Sequence, residues 1–182
     1  MPGYPIIAAV RKKDDFKYLA DTSVDTVFLM FGDLGSLYEL VAELKGLNRN
    51  VYLHLDLIKG LSHENEGVHF LAKTIGPTGI VTTKGHLIKT AKTLKLQAIH
   101  HLFLIDTNAF YTGIKNVLSS KPDGIEVMPG LMPRVIKELS REVSSPLYVG
   151  GLLKTKEEME SSLMAGAKAV ITSNPELWKV KF

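Results

Sequence analysis

Eight short apolar runs recur along the chain, and this recurrence limits the folds open to it more than any other feature. They span residues 5–10, 25–31, 50–58, 79–83, 98–106, 123–128, 146–151 and 168–173. Each is rich in β-branched or aromatic residues, and several begin just after Pro, Gly or Asp, which marks strands. Amphipathic segments lie between them, as at 36–47, 86–95, 132–143 and 156–167. In the first of these, Leu37, Leu40, Val41, Leu44 and Leu47 fall on one helical stripe. Strands that alternate with helices pair in parallel, because a parallel neighbour is reached only through a crossover. The 182 residues give about 23 per βα unit. That is short for a (β/α)8 barrel, which usually takes ~200 or more residues. The pattern therefore predicts an α/β fold: a compact TIM-type (β/α)8 barrel in one domain over residues 1–182. An open doubly wound sheet is the alternative.

Composition narrows the chemistry. The chain has no cysteine, which excludes disulfides, thiolate catalysis and cysteine-ligated zinc. The net charge of +3 comes entirely from residues 92–182, which carry twelve Lys/Arg against nine Asp/Glu. Three charges are too few to mark a binding tail. The N-terminal residues lack the basic-then-apolar order of a signal peptide. No apolar run approaches ~18 residues, so no membrane span and a cytoplasmic location are expected.

In a barrel, the chemistry lies at the C-terminal ends of the strands. The polar residues there are Asp33, His54, Asp56, Lys59, Thr83, Lys84, Asp106, Thr107, Glu126, Thr172, Ser173 and Asn174, with the Gly150–Gly151 pair after strand seven. Glu126 lies inside an apolar run. A buried carboxylate needs a partner, and Lys84 across the barrel is one candidate. Asp106 fits either a ligand contact or a helix N-cap. "GGLLKTKEE" and "TSNPELW" each pass from a strand toward a helix, as in barrel phosphate sites, where glycine lets backbone N–H groups approach an anion. Plain turn chemistry is the other reading of the same residues. His100 and His101 are adjacent in a strand, so they point to opposite faces and cannot chelate one metal together. His86 with Lys89, Lys92 and Lys95 reads as a solvated helix face. No spacing of His and carboxylates matches a zinc site, and no nucleotide-binding or serine-hydrolase motif is present.

The stretches "HLDLIKGL", "GIVTTK", "LFLIDT", "DGIEVMPGLMPRVI", "VGGLLKTKEE" and "AGAKAVITSNPELW" occur in that order. Together they resemble the glycerol-3-phosphate-responsive antiterminator family, the regulators of glycerol uptake operons. The resemblance implies a (β/α)8-type barrel. It implies glycerol 3-phosphate bound as a signal and not turned over. It also implies binding to a leader mRNA that prevents a terminator hairpin from acting, which promotes transcription antitermination of glycerol-utilisation genes. Carried over by matched motif, the ligand-binding residues are Asp56, Lys84, Asp106, Glu126, Pro129, Gly150, Gly151, Ser173 and Asn174. The resemblance assigns no catalytic residue, metal or cofactor, and it allows a homodimer. Two positions depart from the family pattern: Lys59 stands where an acidic residue is common, and His100–His101 stand where Gln-Arg is common. The residues alone leave a second class open, a sugar-phosphate lyase or isomerase with Lys84 as a Schiff-base lysine and Glu126 or Asp106 as general base.

Overall fold

The computed structural model describes residues 2–182. The eight apolar runs become eight parallel strands: β1 Ile6–Val10, β2 Thr26–Leu29, β3 Asn50–His54, β4 Gly79–Thr82, β5 Gln97–Phe103, β6 Gly124–Met128, β7 Leu147–Gly150 and β8 Ala169–Thr172. They pair in sequence order, and β8 returns to β1, so the sheet closes into a barrel. This is the (β/α)8 arrangement, and the doubly wound alternative is ruled out by the closure.

The third and fifth runs are longer than their strands. β3 stops at His54 and the chain tightens into a 3-10 turn, Leu55–Leu57. β5 stops at Phe103, three residues short of the end of its run.

Six α-helices cover the barrel: α1 Leu37–Gly46, α2 Asn65–Phe70 (continued as a π turn, Leu71–Ile75), α3 Gly85–Thr93, α4 Thr107–Ser120, α5 Pro133–Glu142 and α6 Lys156–Met164. Their starts follow from local chemistry. The Asp106 carboxylate accepts the Ala109 N–H at the head of α4. Pro133 opens α5, where its missing N–H costs nothing. Thr155 and Glu158 form a reciprocal capping box at α6. After β1 and after β8 the chain makes only 3-10 turns, Lys13–Tyr18 and Leu177–Lys179.

The strand alternation sorts side chains into two cores. Ile6, Ala8 and Val10 pack with the helices in the outer core, whereas Ile7 and Ala9 join Phe28, Tyr52, Ile99 and Tyr148 inside the barrel. Trp178 is fully buried, and its indole Nε1–H donates to the Thr172 carbonyl at 2.8 Å, which pins the C-terminal turn to the end of β8. Among the described residues no helix is long and apolar enough to cross a membrane.

Candidate functional site

Two features occupy the C-terminal half of the barrel. The deeper one is polar. His101 and Glu126 are direct partners in the β5–β6 register, and each alternates with apolar inward neighbours, so both project into the barrel. The His101 ring nitrogen Nδ1 lies 2.6 Å from Glu126 Oε2. His54, at the end of β3, brings its Nε2 to 3.7 Å from the same oxygen. The two imidazole rings meet edge to face at 5.1 Å, and the Phe103 ring covers His101 at 4.3 Å. All three side chains are buried, Glu126 completely. Burial depresses the basicity of His54, opposed by the nearby Glu126 charge and reinforced by His101. His54 Nδ1, His101 Nε2 and Glu126 Oε1 are buried without a hydrogen-bond partner among the described residues.

The shallower feature is a cavity of about 100 Å³ between the ends of β1, β7 and β8, lined by Arg11, Met30, Met128, Gly151, Leu152 and Ser173, among others. Arg11 also borders a wider depression of about 370 Å³ with Lys12, Ser173 and Glu176. Its backbone N–H donates to the Asp15 carboxylate, which holds the turn after β1. The turn after β7 is unusual. Gly151 has φ +81° and Leu152 has φ +66°, two consecutive left-handed residues. Glycine adopts that conformation freely, whereas leucine is strained there by ~1–2 kcal/mol. The Gly151 carbonyl accepts the Gly130 N–H at 3.1 Å, which ties this turn to the one after β6.

The two glycines of the pair therefore have different roles. Gly150 lies in β7 and is fully packed: a Cβ there would stand 2.8 Å from Ile171 Cβ and 3.1 Å from the Ile171 carbonyl. Gly151 meets only ordinary contacts at 3.6 Å or more and borders the cavity.

The remaining sequence candidates spread around the mouth. Asp56 sits in the 3-10 turn after β3, and its carboxylate accepts the Thr83 N–H at 3.3 Å. Lys84 is not the partner of Glu126. Its ammonium donates to the His63 carbonyl at 3.0 Å, and His101 takes the place expected for it. Asp106 is the N-cap of α4 and lies exposed. Pro129 follows β6 across a cis bond from Met128, beside Gly151. Ser173 and Asn174 are exposed after β8. The Asn174 side chain accepts the Glu176 N–H, while its own N–H donates to Thr172 Oγ1.

His100 faces outward, as strand alternation requires, between Ser120 Oγ at 3.0 Å and the Thr83 carbonyl at 3.1 Å. On α3, Lys92 pairs with Asp123 at 2.9 Å. Sequence reading missed Arg11 as a site residue, although its place directly after strand one was the available signal. It also missed the meeting of His54, His101 and Glu126, whose separation along the chain carries no spacing rule.

Residues 6–178 match the glycerol-3-phosphate responsive antiterminator family. The chain belongs to that family. The likeness extends to three dimensions. A glycerol uptake operon antiterminator regulatory protein from Listeria monocytogenes superposes with a TM-score of 0.95 at 31% identity, over 98% of this chain and 97% of that one. A glycerol uptake operon antiterminator-related protein from Thermotoga maritima gives 0.86 at 29% identity, over 96% and 98%. An uncharacterized Escherichia coli (strain K12) protein, YgcP, is 30% identical over 174 residues, 96% of this chain and 91% of that protein. This antiterminator-family member therefore matches relatives of similar length across the whole barrel.

Proposed function

We propose that the chain is a glycerol-3-phosphate-responsive regulator that binds a leader mRNA and promotes transcription antitermination of glycerol-utilisation genes. The observation that carries the ligand half is the cavity at the ends of β1, β7 and β8. It joins an arginine, a left-handed glycine turn and a serine hydroxyl at the place where (β/α)8 barrels bind phosphate. Arg11 supplies fixed positive charge and a planar donor fork suited to phosphate oxygens. At about 100 Å³, it has room for roughly three water molecules. That suits a phosphate group, with the glycerol portion extending toward the wider depression beside Arg11. Family membership supports the RNA half.

Ligand control requires that glycerol 3-phosphate bind one conformation better than another. The turn at Gly151–Leu152 is the element we assign to that role, because it borders the cavity and already holds backbone strain.

Less supports the enzyme alternative. A Schiff-base lysine at Lys84 would need the general base close by, yet the Lys84 ammonium is bonded to the His63 carbonyl, Glu126 is bonded to His101, and Asp106 caps a helix.

The test is thermal unfolding with glycerol 3-phosphate, glycerol and inorganic phosphate in separate titrations, followed by leader-RNA binding with and without the effective ligand. A ligand at ~100 times its Kd stabilises by about 2.7 kcal/mol, a shift of several degrees for a chain of this length. The reading requires a larger shift with glycerol 3-phosphate than with either fragment, and RNA affinity that responds to it. Equal shifts with inorganic phosphate, or RNA binding indifferent to the ligand, would refute it.

A further inference from the structure

We infer that His54, His101 and Glu126 form a binding site for one late first-row divalent cation, zinc being the natural fit. The inference goes beyond the regulatory reading and does not depend on it. Two imidazoles and one carboxylate are a donor set that zinc takes with a fourth position left open. The three side chains offer donor atoms that all lie within 4.8 Å of one another. Metal–ligand bonds of about 2.0–2.2 Å in tetrahedral geometry place neighbouring donors about 3.3–3.6 Å apart. The two separations at Glu126 Oε2, 2.6 Å to His101 and 3.7 Å to His54, bracket that range. Shifts of under ~1 Å bring them onto one ion.

Hydrogen bonding alone leaves the cluster poorly satisfied. The His101–Glu126 contact accounts for one nitrogen and one oxygen. His54 Nε2 stands 3.7 Å from Glu126 Oε2, beyond hydrogen-bond distance, its Nδ1 is buried without a partner among the described residues, and so are His101 Nε2 and Glu126 Oε1. A buried polar atom without a partner costs ~1–3 kcal/mol. Three such atoms in one buried cluster show that hydrogen bonding alone does not satisfy it, while His54 Nε2, His101 Nδ1 and Glu126 Oε2 converge; two imidazoles and one carboxylate select a cation of borderline softness over magnesium or calcium. The surface histidines make no comparable set: His86 has only Glu64, at 3.7 Å, and both are exposed.

The experiment is a Co²⁺ titration of the full chain after EDTA treatment and buffer exchange, read by the visible ligand-field bands of four- or five-coordinate cobalt, with Zn²⁺ displacement by calorimetry. We expect saturation at one ion per chain and displacement by Zn²⁺. Affinity should fall about 100-fold or more in His54→Ala, and survive in His86→Ala. His54→Ala is the preferred variant because it leaves the 2.6 Å contact between His101 and Glu126 in place. His101→Ala, checked for folding by circular dichroism, should give the same loss. Absence of both bands and binding heat would overturn the site, as would a His54→Ala protein that binds like the parent.

Discussion

Glu126 has no exposed surface, and its short contact is to His101, so removing that contact should leave a buried carboxyl group without its partner. Replacing His101 by Leu leaves a carboxylate inside the barrel with His54 Nε2, at 3.7 Å, as the nearest ring nitrogen. Breaking such a pair costs about 3–5 kcal/mol. For a chain of 182 residues, each kcal/mol moves the midpoint by about 2–4 °C, so Tm should drop by roughly 6–20 °C. Glu126→Leu removes the charge and strands the His101 ring nitrogen, at a cost of about 1–3 kcal/mol. The double variant His101→Leu, Glu126→Leu replaces the pair with apolar groups. It should be less destabilised than His101→Leu alone, because replacing both partners of a buried pair is often close to neutral. The assay is urea denaturation in EDTA, followed by the fluorescence of Trp178, the only tryptophan and a fully buried one. The reasoning fails if His101→Leu costs under ~1 kcal/mol, or if the double variant loses the sum of the two singles.

Arg11→Ala should abolish stabilisation by inorganic phosphate and by glycerol 3-phosphate while leaving the unliganded Tm within a few degrees, since Arg11 is exposed; parallel phosphate titrations of both proteins decide it. Gly150→Ala should lower stability by about 1–3 kcal/mol through overpacking against Ile171. Gly151→Ala, by contrast, should cost ~1–2 kcal/mol of backbone strain and weaken phosphate binding more than it weakens the fold. Thermal melts with and without phosphate separate the two glycines. Asp106→Ala should cost ~1 kcal/mol by removing the α4 cap and leave ligand affinity unchanged; a large affinity loss would return Asp106 to the binding set. The Ser36 N–H and hydroxyl hold the Asp33 carboxyl below its ordinary value of 3.8. Its contribution is therefore present above about pH 3.8 and fades as pH falls through the lower folded value. The stability gap between the parent and Asp33→Asn should narrow in acid melts below that pH.

The barrel was legible because strand count and alternation are local signals. Eight apolar runs at near-equal spacing leave few topologies, and closure followed. The ends of the runs were less legible. "NVYLHLDLI" reads as one apolar stretch, yet the 3-10 turn at Leu55–Leu57 takes over after His54. Asp56 is therefore moved off the strand face that it would otherwise share with His54. The partner of Glu126 could not be read at all. It depends on the β5–β6 register, which sets His101 beside Glu126, and a one-residue slip would have put His100 there instead. Lys84 was plausible by charge, but its position after β4 lets it reach the His63 carbonyl instead. Asp106 and the Gly150–Gly151 pair each had two readings in the sequence, and only the packing shows Asp106 capping α4 and Gly150 walled by Ile171.

The two places where no α-helix follows a strand frame the cavity proposed for phosphate. Where other units place an α-helix, the chain after β1 makes a 3-10 turn at Lys13–Tyr18, and the chain after β8 makes one at Leu177–Lys179. β1 and β8 are paired neighbours, so the two thin segments of the outer layer are adjacent. Arg11 and Ser173 emerge from those segments and border both the inner cavity and the outer depression. The burial of Trp178, with its indole bonded to the Thr172 carbonyl, substitutes a single large side chain for a helical face. The cavity thus lies on the β1–β8 side, next to the strained Gly151–Leu152 turn. A ligand entering there meets Arg11 before it reaches the barrel interior, whereas the His54–His101–Glu126 cluster lies on β3, β5 and β6. Phosphate binding and cation binding should accordingly be separable, with Arg11→Ala silent in the cobalt titration and His54→Ala silent in the phosphate titration.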